Sequence, residues 1–155
     1  MRALRAEDIR VFSDAAVAFF EQSTRRRATV RTAYMLESGD PVVWDDYQGL
    51  IELDGRWRGS VGFSAPRGLL SHLLLAIGER DYSEASHRDI VGEIANQMSG
   101  YARRHFGEGM AISPPRVLTR GRDGLPSAAE AVPFAIPMRW ENYQAHLVVR
   151  MQPRG

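Results

Sequence analysis

Glu93 and Asn96 stand three residues apart in a stretch of regular helical periodicity. Residues i and i+3 are neighbours on a helix surface, so this carboxylate and this amide would sit side by side. A carboxylate accepts a proton, pairs with a cation or ligates a metal. An amide is no base at neutral pH, but it donates and accepts at once. That suits it to holding a water in place, as a glutamine does in GTP hydrolysis. One anionic ligand makes a poor metal site by itself, and the second carboxylate of a glycosidase is missing. An ordinary solvated helix face would carry the same pattern, and spacing alone favours that reading.

The element that must position the pair is an amphipathic helix expected around residues 87–106. Ile90, Ile94, Ala95, Met98, Ala102 and Phe106 fall on one apolar stripe. Glu93, Asn96, Gln97, Gly100, Arg103 and Arg104 fall mostly opposite. Ser86 is the candidate N-cap, with Asp89 three residues on, close to a capping box. Gly100 inside the helix costs about 1 kcal/mol relative to alanine, and close approach by another backbone is one reason to keep it.

Around this helix the chain reads as a single domain spanning residues 1–155. A first helix is expected from Glu7 to Gln22, ending in the solvated run Arg25-Arg26-Arg27. Val30, Thr32, Tyr34 and Leu36 favour one strand, and residues 38–41 a turn. Runs 49–53 and 57–63 flank a two-residue Asp54-Gly55 loop, a strong hairpin signal. Pro66 opens a second helix, with Leu69, Leu70, Leu73, Leu74 and Ile77 buried and Gly78 as its stop. Arg116–Thr119 reads as a strand and Arg122-Asp123-Gly124 as its turn. Runs 132–140 and 143–151 form a last hairpin about Glu141-Asn142, with Pro133 and Pro137 at edges or bulges. Gly59 and Gly62 are read as a strand packed closely under a helix. The order implies an α+β, two-layer domain with helices on one face of a largely antiparallel sheet.

Bulk properties narrow the function further. The 155 residues are 44% hydrophobic and 25% charged, enough apolar material for a core. All 20 basic residues are Arg, against 19 acidic ones, a net charge of +1. Such a balance gives no global pull toward nucleic acid or an acidic membrane. The absence of Cys rules out disulfides, thiolate nucleophiles and Cys-based zinc sites. The N-terminus lacks a signal-peptide apolar region and no apolar run is long enough to span a bilayer, so a cytoplasmic location is the default expectation. His72, His87, His105 and His146 lack metal-ligand spacing and are expected in surface or packing roles. Trp44, Trp57 and Trp140 are expected in the core or at a dimer surface.

The stretch Ile90-Val91-Gly92-Glu93-Ile94-Ala95-Asn96-Gln97-Met98-Ser99-Gly100 resembles the Glu-x-x-Asn motif of the CheC/CheX/FliY family of chemotaxis response-regulator phosphatases. Gly59–Ser64 followed by a Leu-rich helix, and residues 112–121, resemble that family's flanking segments, so the likeness spans roughly residues 45–150. The resemblance implies a CheC-like fold. It implies as substrate the aspartyl-phosphate of a CheY-like receiver domain, which carries its own Mg²⁺, with no cofactor in this chain. Asn96 would then hold the attacking water in line and Glu93 would pair with a receiver lysine. Gln97, Gly100, Arg103 and Arg104 would border the docked receiver, with Gly100 permitting close approach. The helix Leu69–Arg80 lacks a second motif. A single site is similar to the CheX branch, whose members resemble homodimers joined through their sheets. Two other readings stand beside this one: a non-catalytic module of the same fold that binds a receiver or another signalling protein, and a general domain with a coincidental motif.

Overall fold

A computed structural model of the protein describes residues 5–36, 44–120 and 134–153. The turns expected at 38–41 and 122–124, and Pro133, lie outside them. Three helices, α1 (Ala6–Thr24), α2 (Arg67–Ala76) and α3 (Glu84–Phe106), pack against one antiparallel sheet. Its strands are β1 (Thr29–Val30), β2 (Tyr34–Met35), β3 (Tyr47–Asp54), β4 (Trp57–Ala65), β5 (Ala111–Ile112), β6 (Arg116–Thr119), β7 (Phe134–Trp140) and β8 (Tyr143–Pro153). Across the sheet the order is β1-β7-β8-β4-β3-β5, with β2 also on β7 and β6 also on β3.

Alternation along the strands builds the core. Ile51, Leu53, Val61, Phe63, Leu147 and Val149 join the helices in one apolar cluster. Leu50 and Val148 point to the opposite face, where Trp44 covers them. Trp57 and Trp140 are fully buried in the helix-side core. From α3, Ile90, Ile94, Ala95, Met98, Ala102 and Phe106 are all buried, as the stripe predicts.

Gly49 fixes how close α3 comes to the sheet. A Cβ there would lie 2.7 Å from the Val91 carbonyl oxygen and 2.9 Å from the Ala95 Cβ. No side chain larger than hydrogen fits between β3 and that helix backbone. Elsewhere α1 is tied to α3 at its far end. The His105 Nε2 lies 2.7 Å from the buried Asp8 carboxylate, which also accepts the Arg5 backbone N–H at 2.9 Å. Phe12 and Phe106 pack beside this link with ring centroids 6.3 Å apart.

Several expectations shift. Helix α3 begins one turn earlier, capped by Ser83, whose hydroxyl accepts the Ser86 backbone N–H at 3.2 Å; Ser86 is inside the helix. The strand read over Val30–Leu36 is split in two, with Val30 and Tyr34 exposed. Val30 pairs with Met138 and Tyr34 with Ala135, so the edge carries one residue more than β7 and bulges. Pro137 sits opposite the break and, lacking an N–H, only accepts, from Arg31 at 2.9 Å. Asp54 lies within the ladder opposite Arg58, so the hairpin turns at Gly55 and Arg56. Gly55 is required there because a Cβ would meet the Gly109 carbonyl at 2.4 Å. Gly59 and Gly62 lie against the β8 backbone and the Trp44 ring, not under a helix. Ile77 is 39% exposed, outside the buried stripe.

Gly49→Ala is expected to destabilise the fold by about 2 kcal/mol, because the clash is with backbone that cannot yield. A thermal melt beside wild type measures it. The Asp81 carboxylate accepts the Ser83 N–H at 2.9 Å, which lowers its pKa from 3.8. This support for the α3 start is present above the ordinary carboxylate pKa and fades as pH falls through the lower folded value. The Ser83 amide resonance should therefore titrate with a midpoint below 3.8. A midpoint at or above that value would contradict the hydrogen bond.

Candidate functional site

Glu93 and Asn96 are exposed one turn apart at the middle of α3. Val91, Ile94 and Ala95 hold this turn to the core, so the polar pair faces outward on a rigid base. Among the described residues neither side chain has a hydrogen-bond or ion-pair partner within the chain. Both border a shallow cleft of about 450 Å³, lined also by Arg88, Asp89, Gly92, Pro115 and Val117. Gly92 forms part of its floor, where a Cβ would come 3.3 Å from Val117 Cγ2. Two larger hollows, about 610 Å³ beside β5 and about 670 Å³ between α1 and β1, contain neither residue of the pair.

The cleft wall comes from β6 and the segment before it. Arg88 projects from α3 across to that strand. Its guanidinium donates to the Val117 carbonyl at 3.0 Å and to the Thr119 hydroxyl. Sequence reading passed over Arg88, Asp89, Pro115 and Val117 as cleft residues. The i−4 relation of Asp89 to Glu93 was available as a signal; the β6 residues carry none, because only the fold brings them to α3.

The remaining predicted residues divide. Gln97 is half-buried and its amide reaches Gln22 of α1 at 3.4 Å. Gly100 lies one heptad beyond Glu93, and a Cβ there would meet nothing within 4 Å. Among the described residues no other backbone lies within 4 Å of that position. Arg103 and Arg104 are exposed in the last turn, with the Arg104 guanidinium 4.7 Å from the centre of the Tyr101 ring. Of the histidines, His87 is fully buried between Ser71 and the Ser83 carbonyl, 2.7 Å from each, a packing role that joins α2 to α3. Among the described residues no group of three His, Asp or Glu side chains is placed to hold a metal ion, and no helix is long and apolar enough to cross a membrane.

Three helices on an open antiparallel sheet, with a Glu-x-x-Asn turn exposed on the central helix, define a domain of the CheC-like class. The family model described as chemotaxis phosphatase CheX matches residues 47–139, and the chain belongs to that family. Solved structures agree on the fold. The chemotaxis protein CheX from Vibrio vulnificus is 21% identical, with 95% of this chain and 100% of that chain covered and a TM-score of 0.80. A CheC-like superfamily protein from Shewanella sp. PV-4 is 17% identical, with 96% and 99% covered and a TM-score of 0.81. CheX in a CheX–CheY–BeF₃–Mg²⁺ complex from Borrelia burgdorferi is 14% identical, with 96% and 99% covered and a TM-score of 0.71. No curated protein matches the chain significantly.

Because a Cβ at Gly100 meets none of the described residues within 4 Å, Gly100→Ala is expected to stabilise the isolated protein by up to about 1 kcal/mol, the helix-propensity difference. Chemical denaturation measures it, and a loss of stability would show that the helix needs the glycine for itself.

Proposed function

We propose that this protein accelerates hydrolysis of the aspartyl-phosphate of a CheY-like receiver domain. The observation that carries the proposal is the exposed, internally unengaged Glu93–Asn96 pair on the rim of an open cleft. Membership of the CheX family supports it, as does the relative from Borrelia burgdorferi that is complexed with CheY. Among the described residues neither side chain has a partner that would activate it as a base or nucleophile, and no metal ligand set surrounds the pair. Its capacity is to position, and positioning with electrostatics accounts for most of catalysis in phosphoryl transfer.

In this mechanism the receiver brings the phosphoryl group and its Mg²⁺. Asn96 enters the receiver's site and holds a water in line with the phosphorus–oxygen bond to the aspartate. Water adds to phosphorus, the aspartate carboxylate leaves, and inorganic phosphate is released. Glu93 pairs with a receiver lysine beside the phosphate and sets the docking angle. Gln97, Gly100, Arg103 and Arg104 border the docked partner, with the open space over Gly100 taking its backbone. The protein acts in the cytoplasm, where receivers are phosphorylated. It works as a homodimer joined through the sheet, a reading supported by exposed Val30, Tyr34 and Met35 on the short edge strands.

With a phosphorylated receiver, Asn96→Ala is expected to lose on the order of 100-fold in turnover, the scale of a lost water alignment, while a beryllofluoride-loaded receiver still binds. Glu93→Ala is expected to raise the half-saturating receiver concentration about tenfold as well as slow turnover. Unchanged turnover in Asn96→Ala would refute the mechanism. Receiver binding without any acceleration by wild type would instead identify a non-catalytic binding module. Sedimentation equilibrium should return twice the chain mass.

A further inference from the structure

We infer that Arg88 is a positioning residue that fastens the β6 wall of the cleft to α3 and so sets the surface on which the receiver docks. The inference rests on the receiver reading above and adds a residue to it. Arg88 lies five residues before Glu93, lines the same cleft, and points its guanidinium at β6. One nitrogen donates to the Val117 carbonyl at 3.0 Å and another to the Thr119 hydroxyl. These acceptors are two residues apart on one strand, a spacing that the planar guanidinium spans and an ammonium does not.

The guanidinium is a side-chain tie from α3 to a wall otherwise held through β3. Strand β6 is only four residues long, and it pairs with β3 on one side. Pro115 and Val117, the wall's cleft-facing residues, are half-buried, with Val117 packed against the edge of the core. Gly92 lets Val117 lie close over α3 but supplies no side chain to grip it. The guanidinium is therefore a polar bolt between the element that carries Glu93 and Asn96 and the opposing wall. A wall held in place before docking spares the complex the ordering cost of fixing it. The Arg88 guanidinium is turned to β6, so its effect is expected on docking rather than on the chemical step.

The test uses the full chain and three readouts: amide hydrogen exchange, affinity for a beryllofluoride-loaded receiver, and steady-state dephosphorylation. Arg88→Ala is expected to speed exchange at residues 116–119, weaken receiver binding about tenfold and raise the half-saturating concentration equally, with kcat within about threefold of wild type. Arg88→Lys, which reaches one acceptor, should fall between them. Unchanged affinity in Arg88→Ala, or a fall in kcat at constant KM, overturns the inference, as does full rescue by Lys. Should Arg88→Ala fail to fold, Thr119→Val removes one acceptor and must show the same directions at smaller size; unchanged exchange and affinity there overturn the inference. Asn96→Ala is run alongside. If it leaves turnover unchanged while Arg88→Ala still weakens binding, the water-holding role fails and the Arg88 role stands. If wild type binds no receiver, both fail.

Discussion

The contact on which the rest of the molecule depends is the crossing of α3 over β3 at Gly49. A missing side chain there lets the Val91 carbonyl and the Ala95 methyl sit directly on the strand. Everything functional follows from that depth. Helix α3 is seated on the sheet by its own backbone at mid-length, and the turn carrying Glu93 and Asn96 is the turn so seated. Its buried stripe then joins Phe63, Leu53 and the α1 aromatics in one apolar core. A side chain at position 49 would lift the middle of the helix and change the angle at which both polar groups leave the surface. Under the proposed function, rigidity at the base would let two side chains without hydrogen-bond partners among the described residues serve as positioning groups.

That lack of support has a chemical logic. A complete active site buries its charges and must satisfy each one internally. This face leaves Glu93 and Asn96 in water, where solvation costs nothing and their geometry is set only by the helix. They gain defined partners when another molecule covers them. Under the proposed function the pair is half of a site, and the receiver would bring the electrophile, the charge neutralisation and the cation for Glu93. A near-zero net charge suits that reading, in which recognition would rest on the local pattern on α3 rather than on a global field.

Periodicity made α3 legible, because each apolar residue of its stripe reports the same buried face. Its start was misplaced because both Ser83 and Ser86 suit a cap, and only the observed hydrogen bond chooses between them. The edge strand read over Val30–Leu36 failed for a non-local reason. β-branched and aromatic residues favour extension, but the register is set by Pro137, a hundred residues away. The Asp54-Gly55 turn slipped because Gly55 serves a close contact with Gly109 rather than a positive φ. Gly49 itself carried no signal, since a glycine opening a strand run reads only as weakness in it. The two residues of the candidate site lay in plain sight as a motif. Their setting did not, because Pro115, Val117 and Thr119 reach α3 through sheet pairing that no local pattern encodes.

The outward face of α3 carries its charges in order. Asp89 and Glu93 lie toward the N-terminal half, Asn96 and Gly100 follow, and Arg103 and Arg104 close the last turn. Gly100 is a heptad from Glu93 and Arg103 a heptad from Asn96, so each member of a pair lies within about 20° of the other around the axis. From Glu93 to Arg104 the helix rises about 16 Å. The basic end is held before any partner arrives: Arg104 rests on Tyr101, and the neighbouring His105 is bound to Asp8. A molecule aligned along this stripe meets carboxylates at one end, where the Arg88 guanidinium is turned aside to β6, an amide at the centre and guanidinium groups at the other. Reversing it would set like charges together at both ends, which disfavours that orientation. The stripe can thus orient a partner as well as hold it, and orientation is the requirement that an in-line attack on a phosphoryl group imposes.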